Sequence, residues 1–383
     1  MKKALVLVYS DLLHDARVSR QIRFLSENFE VTAAAYGNNS QTDHQFIPLN
    51  PPPLTLWRKF RIAFWSLIGN YSKSWNQFHP INEAIKDLKK QNWDLVVAND
   101  IETLPAAFQI KDGSVAKIVL DAHEYSPRQF ENLMWWRLIF QPALIWICRV
   151  YLKRTEMIFT VGKGIADAYR KNFGCDPVVV TNAPPFREIQ PSEISDKKIR
   201  IVHHGIANPS RRPDLMFELM QLLDDRFTLD LYLMTSGYAS GKTKKYISDL
   251  KEKFSSDHRI SVHDPLPQDR IVATLNQYDI GLFLLPPVNF NYANALPNKF
   301  FDFIQARLAV AIGPSPEMAN YLKTFKNGII SESFDPVTLA NQLNKLSSEE
   351  IKAMKLHSNE AAAQLCAEKN GVIFKETINR IFS

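Results

Sequence analysis

The sequence predicts an α/β protein made of two doubly wound domains, each a parallel sheet covered by helices. Short apolar runs rich in β-branched residues alternate with amphipathic helical segments, the pattern of strands buried on both faces. At 383 residues the chain is longer than one hydrophobic core usually serves. The alternation breaks once, at a polar stretch over residues 187–198 that follows Asn182-Ala183-Pro184-Pro185, and then restarts.

In the first half the strand candidates are residues 4–9, 30–35, 94–98, 117–121, 157–161 and 178–181, with helical patterns at 16–26 and 81–91. In the second half they are 199–204, 229–234, 259–262, 279–285 and 309–313. Helices are expected near 212–223, 242–254, 268–276 and 297–306, and from Ser347 onward the pattern is helical without proline. The opening Lys2-Lys3 and apolar run look like a secretory leader. Its apolar part is about six residues against the ~7–15 of a leader's core, so it reads as the first strand.

Hydrophobic content of 45% and charged content of 22% exclude disordered, collagen-like and disulfide-scaffold classes. Cys148, Cys175 and Cys366 form no CxxC pair, which points to reduced thiols, a cytoplasmic location and no structural zinc. The net charge is +6, and residues 1–190 hold 23 basic against 18 acidic side chains. That excess suggests a polyanionic or membrane-surface partner for the first half.

Between Asp43 and Glu83 there is no acid, and aromatic and basic residues crowd from Trp57 to Phe78. Trp57, Phe60, Phe64 and Ile68 share one face at helical spacing, an arrangement that can lie in a bilayer interface. A peripheral contact with an anionic membrane surface is therefore expected there, at the inner face of the cell membrane. A second acid-free window, between Glu131 and Glu156, holds Trp135, Trp136, Arg137 and Trp146. The alternative for both windows is a core helix with a solvated basic face. No stretch approaches the ~20 apolar residues of a membrane span, and no nucleic-acid partner is expected.

Ligands of doubly wound sheets bind beyond the carboxyl ends of strands, and three unusual segments fall there. Directly after the 117–121 strand, His123 can hydrogen-bond a substrate hydroxyl or transfer a proton, or be a satisfied loop residue. After the 199–204 strand, Gly205 opens a turn into a helix start, where backbone N–H groups can approach an anion. Arg211 or Arg212 would add a guanidinium fork suited to phosphate. In the third segment Pro297 suits the first helical turn, so 296–299 mark a helix N-terminus with Lys299 adding charge. Asp302 lies just over one turn further, within reach of a ribose beside that anion. An ordinary helix with packed phenylalanines does not explain Asn294, Asn298 and Lys299 together.

The absence of GxGxxG, Walker A, HExxH and GxSxG patterns removes the main support for nicotinamide, P-loop, zinc and serine-hydrolase chemistry. No Asp-x-Asp pair follows a strand to hold a divalent cation. Any bound diphosphate must then be neutralised by protein cations.

Several segments together resemble family 4 of the retaining glycosyltransferases. They are Asp15-Ala16-Arg17-Val18, residues 94–100, Asp121-Ala122-His123-Glu124 and Thr181-Asn182-Ala183-Pro184. The most specific is Leu296-Pro297-Asn298-Lys299-Phe300-Phe301-Asp302-Phe303, reaching Gly313 and Pro316-Glu317. The resemblance implies the GT-B fold, in which two Rossmann-like domains face each other across a cleft. Residues 1–188 would be the acceptor domain and 196–367 the nucleotide-sugar donor domain, with a terminal helix over 368–383 crossing back to the first.

It further implies transfer of a hexose-type sugar from a nucleotide diphosphate-sugar with retention, without protein nucleophile, metal or cofactor. The acceptor would be a glycan or lipid-linked molecule in cell-surface polysaccharide or glycoconjugate synthesis. The implied catalytic residues are His123, Arg211 and Lys299. Gly205, Arg212, Pro265, Leu266, Asn294, Leu296, Pro297, Asn298 and Asp302 would hold the donor, and Asp15, Arg17 and Glu124 would lie on the acceptor side. The family's two donor-binding acids, eight positions apart, fall on Asn294 and Asp302, so the first has become an amide. Ile206 replaces a usual arginine, Arg307 a usual glycine, and the glycine-rich loop after the first strand is missing. Those departures motivate an alternative, a catalytically inactive GT-B scaffold binding a glycan or protein partner. A nucleotide-sugar epimerase is a further one.

Overall fold

Two parallel sheets organise the chain in a computed structural model that describes residues 1–37, 44–51, 53–80, 83–234 and 241–383. The first sheet has strands β1 (Lys2–Asp11), β2 (Phe29–Tyr36), β3 (Gln45–Pro48), β4 (Leu95–Asn99), β5 (Lys117–Ala122), β6 (Met157–Thr160) and β7 (Val178–Val179). Their order is β3-β2-β1-β4-β5-β6-β7. The second has β8 (Ile199–Ile206), β9 (Phe227–Met234), β10 (Ile260–His263), β11 (Ile280–Phe283), β12 (Ala309–Ile312) and β13 (Gly328–Ile330), in the order β10-β9-β8-β11-β12-β13. The strand order reverses between β1 and β4 in one sheet and between β8 and β11 in the other. Crevices open at such points in doubly wound sheets.

The chain divides into two units. One comprises Met1–Thr181, Asn289–Asn291 and Asn370–Ser383, the other Asn182–Val288 and Tyr292–Lys369. In the first, central strands are apolar on both faces: Ala4 to Leu7 and Leu95 to Ala98 are fully buried. One face of that sheet packs on Trp75, Trp93, Ile147 and Tyr169, the other on Val18, Ile22, Phe374 and Ile378. The second unit is built the same way, with Phe217 and Phe227 on one side and Phe300, Phe301 and Phe303 on the other.

β3 and β13 were not foreseen. Both are short edge strands with no fully buried residue, one ending on a proline, so neither shows the continuous apolar run that betrays a central strand. The expected helix at 81–91 runs Glu83–Lys89, and Ile81 and Asn82 lie outside the described residues. The helix expected at 212–223 is shorter, Asp214–Met220, because Arg212 adopts φ +49 and separates it from the turn Pro209–Arg211. Pro297 is not in the first helical turn; its extended backbone makes it the cap of the helix Asn298–Gln305. Arg307, where the family would have glycine, does adopt the left-handed φ of +63. It is only 1% exposed, and its guanidinium bonds Asn359, Gln305 and the Arg187 carbonyl.

The helix Leu56–Leu67 is no core helix. Trp57 is 78% and Phe60 64% exposed, and Phe64 and Ile68 are exposed as well. In the second acid-free window Trp136 is buried while Met134, Trp135 and Leu138 face outward. Among the described residues no helix is long and apolar enough to cross a membrane.

Candidate active site

Most of the polar residues singled out in the second unit stand at the carboxyl end of β8 and on the crossover from β11 to β12. Gly205 has φ +127, and a Cβ there would come within 2.6 Å of Lys299 Nζ, so the lysine lies directly on the glycine backbone. Beyond it, Asn208 Oδ1 accepts from the Arg211 N–H (3.1 Å) and from Ser210 Oγ (2.6 Å), which tightens the turn that presents Arg211. The Arg211 guanidinium sits 5.9 Å from the Tyr292 ring centroid.

Lys299 is in the first turn of Asn298–Gln305, whose N-terminus no side chain caps. It is 6% exposed and lies 4.7 Å from the Phe283 ring centroid. Among the described residues neither its Nζ nor the Arg211 Nε, both buried, has a hydrogen-bond partner, which is costly unless a ligand supplies the acceptor. Burial, with the Arg211 charge beside it, holds the Lys299 ammonium well below its ordinary pKa. Burial and Lys299 likewise push His204 down to about 3, so that ring is neutral. His204 Nε2 lies 3.4 Å from Asp302 Oδ2, one turn into the same helix. A turn glycine, two unsatisfied cationic side chains and an uncapped helix N-terminus form a site for an anion of high charge density.

The remaining expected donor residues are placed less tightly. Arg212 turns to the surface and forms an ion pair with Asp214 (2.7 Å), so it does not join Arg211. Leu296 is buried in the core, Asn294 and Pro297 are half-buried, and Asn298 is exposed. Pro265 and Leu266 follow the carboxyl end of β10; the first is exposed and the second packs against the phenylalanine core.

The first unit has its own polar cluster around the ends of β1, β4 and β5. Arg17 is buried and forks onto Asp121, with Nη2 2.5 Å from Oδ1 and Nε 2.9 Å from Oδ2. Its Nη1 donates to the Val180 carbonyl at 2.7 Å, so the guanidinium is committed to the protein. Gln21 Nε2 donates to Asp121 Oδ2 at 2.9 Å. Burial alone would raise the Asp121 carboxyl, but the charges of Arg17 and His123 and the bonds from Arg17 and Gln21 hold it below the ordinary value. Asp15 caps the helix Ala16–Ser26 and takes a bond from Ser10 Oγ (2.8 Å). Glu124 Oε2 accepts from Asn291 Nδ2 at 3.3 Å.

His123 stands where Asp100 reaches it twice. Its backbone N–H donates to Asp100 Oδ1 (2.9 Å), and its ring Nδ1 lies 3.4 Å from Asp100 Oδ2; Nε2 lies 3.8 Å from Asp121 Oδ2. Asp100 was not foreseen as a site residue. It has φ +60 and ψ 154, a conformation that costs a non-glycine residue ~1–3 kcal/mol and that clusters at functional sites. Burial raises its carboxyl above the ordinary range against the pull of His123. The only available sequence signal was Asn99-Asp100 at the carboxyl end of an apolar strand.

No family model and no curated protein matches the sequence. The fold, however, matches solved structures over nearly their whole length. Sucrose-phosphate synthase from Thermosynechococcus elongatus is 11% identical, with 100% of this chain and 99% of that one covered at a TM-score of 0.77. HepE of Anabaena, solved with UDP-glucose, is 11% identical, covering 99% and 100% at 0.72. A glycosyltransferase from Rickettsia africae is 14% identical, covering 98% and 99% at 0.67. At such identities the likeness speaks for architecture alone. The chain has the fold of the GT-B glycosyltransferases, two parallel-sheet α/β domains of seven and six strands.

Proposed function

We propose that the protein is a retaining glycosyltransferase that moves a hexose-type sugar from a nucleotide diphosphate-sugar to a glycan or lipid-linked acceptor. The observation that carries this reading is the pair of buried cationic donors, Lys299 Nζ and Arg211 Nε, gathered at the Gly205 turn and without a partner among the described residues. A diphosphate offers them acceptors and charge, and the bare N-terminus of Asn298–Gln305 adds backbone N–H groups. The likeness to HepE, solved with UDP-glucose, favours a sugar nucleotide over other diphosphates.

In this reading the leaving diphosphate is neutralised by Arg211 and Lys299, so no metal is required, and its oxygen takes the acceptor's proton on the face from which it departs. Stabilising that developing charge is the largest contribution such a site makes. Asp302, one turn into the helix that carries Lys299, takes a ribose hydroxyl; Asn294 meets the donor sugar as an amide, donating and accepting. The base is read by backbone groups near Pro265 and Leu266. His123, held by Asp100, binds a sugar or acceptor hydroxyl, with Asp15 and Glu124 on the acceptor side and Arg17 acting as a positioning residue for Asp121.

The exposed aromatic and basic face of Leu56–Leu67 is assigned to an anionic membrane surface, which suits a lipid-linked acceptor in surface-polysaccharide or glycoconjugate synthesis. A thermal-shift series over nucleoside diphosphates and their sugars tests the binding half, since a ligand of the native state raises its midpoint. Release of nucleoside diphosphate from one of the sugars tests turnover. Tight binding with no turnover of any donor and acceptor would favour the inactive-scaffold alternative, and no binding at all would overturn the reading.

A further inference from the structure

In the first unit the helices Leu56–Leu67, Tyr71–Phe78, Met134–Ile139 and Gln141–Tyr151 surround a cavity of about 640 Å³. Ile62, Trp75, Trp136, Phe140 and Leu144 form its wall, and Trp75, Trp136, Ile62 and Leu144 are buried. Protein cores hold few voids larger than a water molecule. A space of this size falls in the range of small-ligand pockets, ~300–1,000 Å³. Its wall offers almost nothing polar. Among the described residues Glu102 is the one acid that lines it, and its buried Oε2 has no partner there. Burial, with Asp100 beside it, pushes that carboxyl up to about 8, which favours its neutral form. An apolar space without convergent polar groups recognises hydrocarbon.

The surroundings say which kind. The cavity is bordered by exposed Leu54, Phe130, Leu133 and Trp135, and the same helices carry the outward-facing Trp57 and Phe64. None of the four helices carries an acid, whereas Arg61, Lys73 and Arg137 are exposed and Lys59, also exposed, lines the cavity itself. Apolar interior and basic surround together are complementary to an anionic amphiphile. We propose that this cavity takes a hydrocarbon chain of an anionic phospholipid, with the phosphate held against Lys59. The proposal rests on the membrane-surface part of the function above and not on sugar transfer.

The probe is dihexanoyl phosphatidylglycerol kept below its micelle concentration, titrated calorimetrically into the full chain, with sedimentation on phosphatidylcholine vesicles containing phosphatidylglycerol as a second arm. Wild type is expected to bind the monomeric lipid saturably. Ile62→Phe or Leu144→Trp, which fill the cavity, should weaken that binding at least tenfold while vesicle sedimentation persists. Lys59→Gln should weaken binding of the phosphatidylglycerol more than that of dihexanoyl phosphatidylcholine, whose choline offsets the charge of the same phosphate. If the filling variants fold poorly, phosphatidylglycerol brominated on its short chains serves with wild type, since it should quench tryptophan fluorescence where glycerol phosphate does not. No saturable monomer binding, no quenching, or equal affinity in the filled variants overturns the proposal. So does a concentration-dependent dimer that the filling substitutions abolish, which would make the cavity a protein interface. Loss of vesicle binding with monomer binding intact removes the membrane-surface reading and leaves the chain site standing.

Discussion

Lys299 has no hydrogen-bond partner on its Nζ among the described residues and lies on the Gly205 backbone, so holding it charged in the free protein is unfavourable. Replacing either cation should therefore damage turnover and spare folding: Arg211→Ala and Lys299→Ala are each expected to lower turnover at least tenfold, about 1.4 kcal/mol. Unchanged kinetics in both would remove the site assignment. The depressed Lys299 pKa carries a second expectation, with a definite sign. A bound diphosphate pulls that pKa back up, so binding takes up a proton; affinity is highest below the free protein's value and falls as pH rises toward the complex's value. Calorimetry in two buffers of different ionisation heat should detect the uptake in wild type and less of it in Lys299→Met. In the first unit, Arg17→Met leaves Asp121 buried and unpaired and should destabilise by ~3–5 kcal/mol in urea unfolding. Because the folded Asp121 pKa is depressed, the stability it contributes is present above the unfolded carboxyl's pKa and is lost as pH falls through the folded one. Arg211, Lys299 and His123 were legible as residues because each follows a strand or opens a helix. Asp100 was not, because its strained φ exists only once β4 and β5 are paired.

Among the elements, Leu56–Leu67 is the one whose chemistry the pattern announced and whose burial it left open. Its aromatic stripe would serve equally well against a core, and only the coordinates turn Trp57, Phe60 and Phe64 outward. With Trp57, Phe64 and Trp65 replaced together by serine, binding to phosphatidylglycerol vesicles is expected to fall at least tenfold. The two most exposed of these positions contribute little to folding, since surface substitutions usually stay within ~0.5 kcal/mol. Equal vesicle binding before and after would end the membrane-surface assignment. The helix Asn298–Gln305 was legible to within a residue, whereas the break at Arg212 was not, because a left-handed arginine has no sequence mark. Edge strands escaped for a related reason: with water or loop on one side, selection for an apolar run relaxes.

At the scale of the whole molecule the chain's last residues complete its first sheet's packing. The helix Ala367–Arg380 places Phe374 and Ile378 in the core that holds Phe24, Phe159 and Val18. Asn370 donates to the Thr181 carbonyl at 3.0 Å. Gly371 permits the approach, since a Cβ there would meet the Phe24 ring at 2.8 Å. Phe374→Ala should cost ~3–5 kcal/mol in an unfolding titration of the full chain, as for other large-to-small core changes. A loss under 1 kcal/mol would show that the terminal helix is only loosely attached. By itself the sequence determined the strand–helix alternation, the two-sheet class and the basic, aromatic character of the first half, because periodicity and composition are local properties. The tertiary structure decided that Lys299 lies on Gly205, that Arg17 is spent on Asp121, that Arg212 turns away, and that four acid-free helices surround a cavity. Each is a meeting of residues distant along the chain or a choice between equivalent faces, and neither leaves a trace in local spacing.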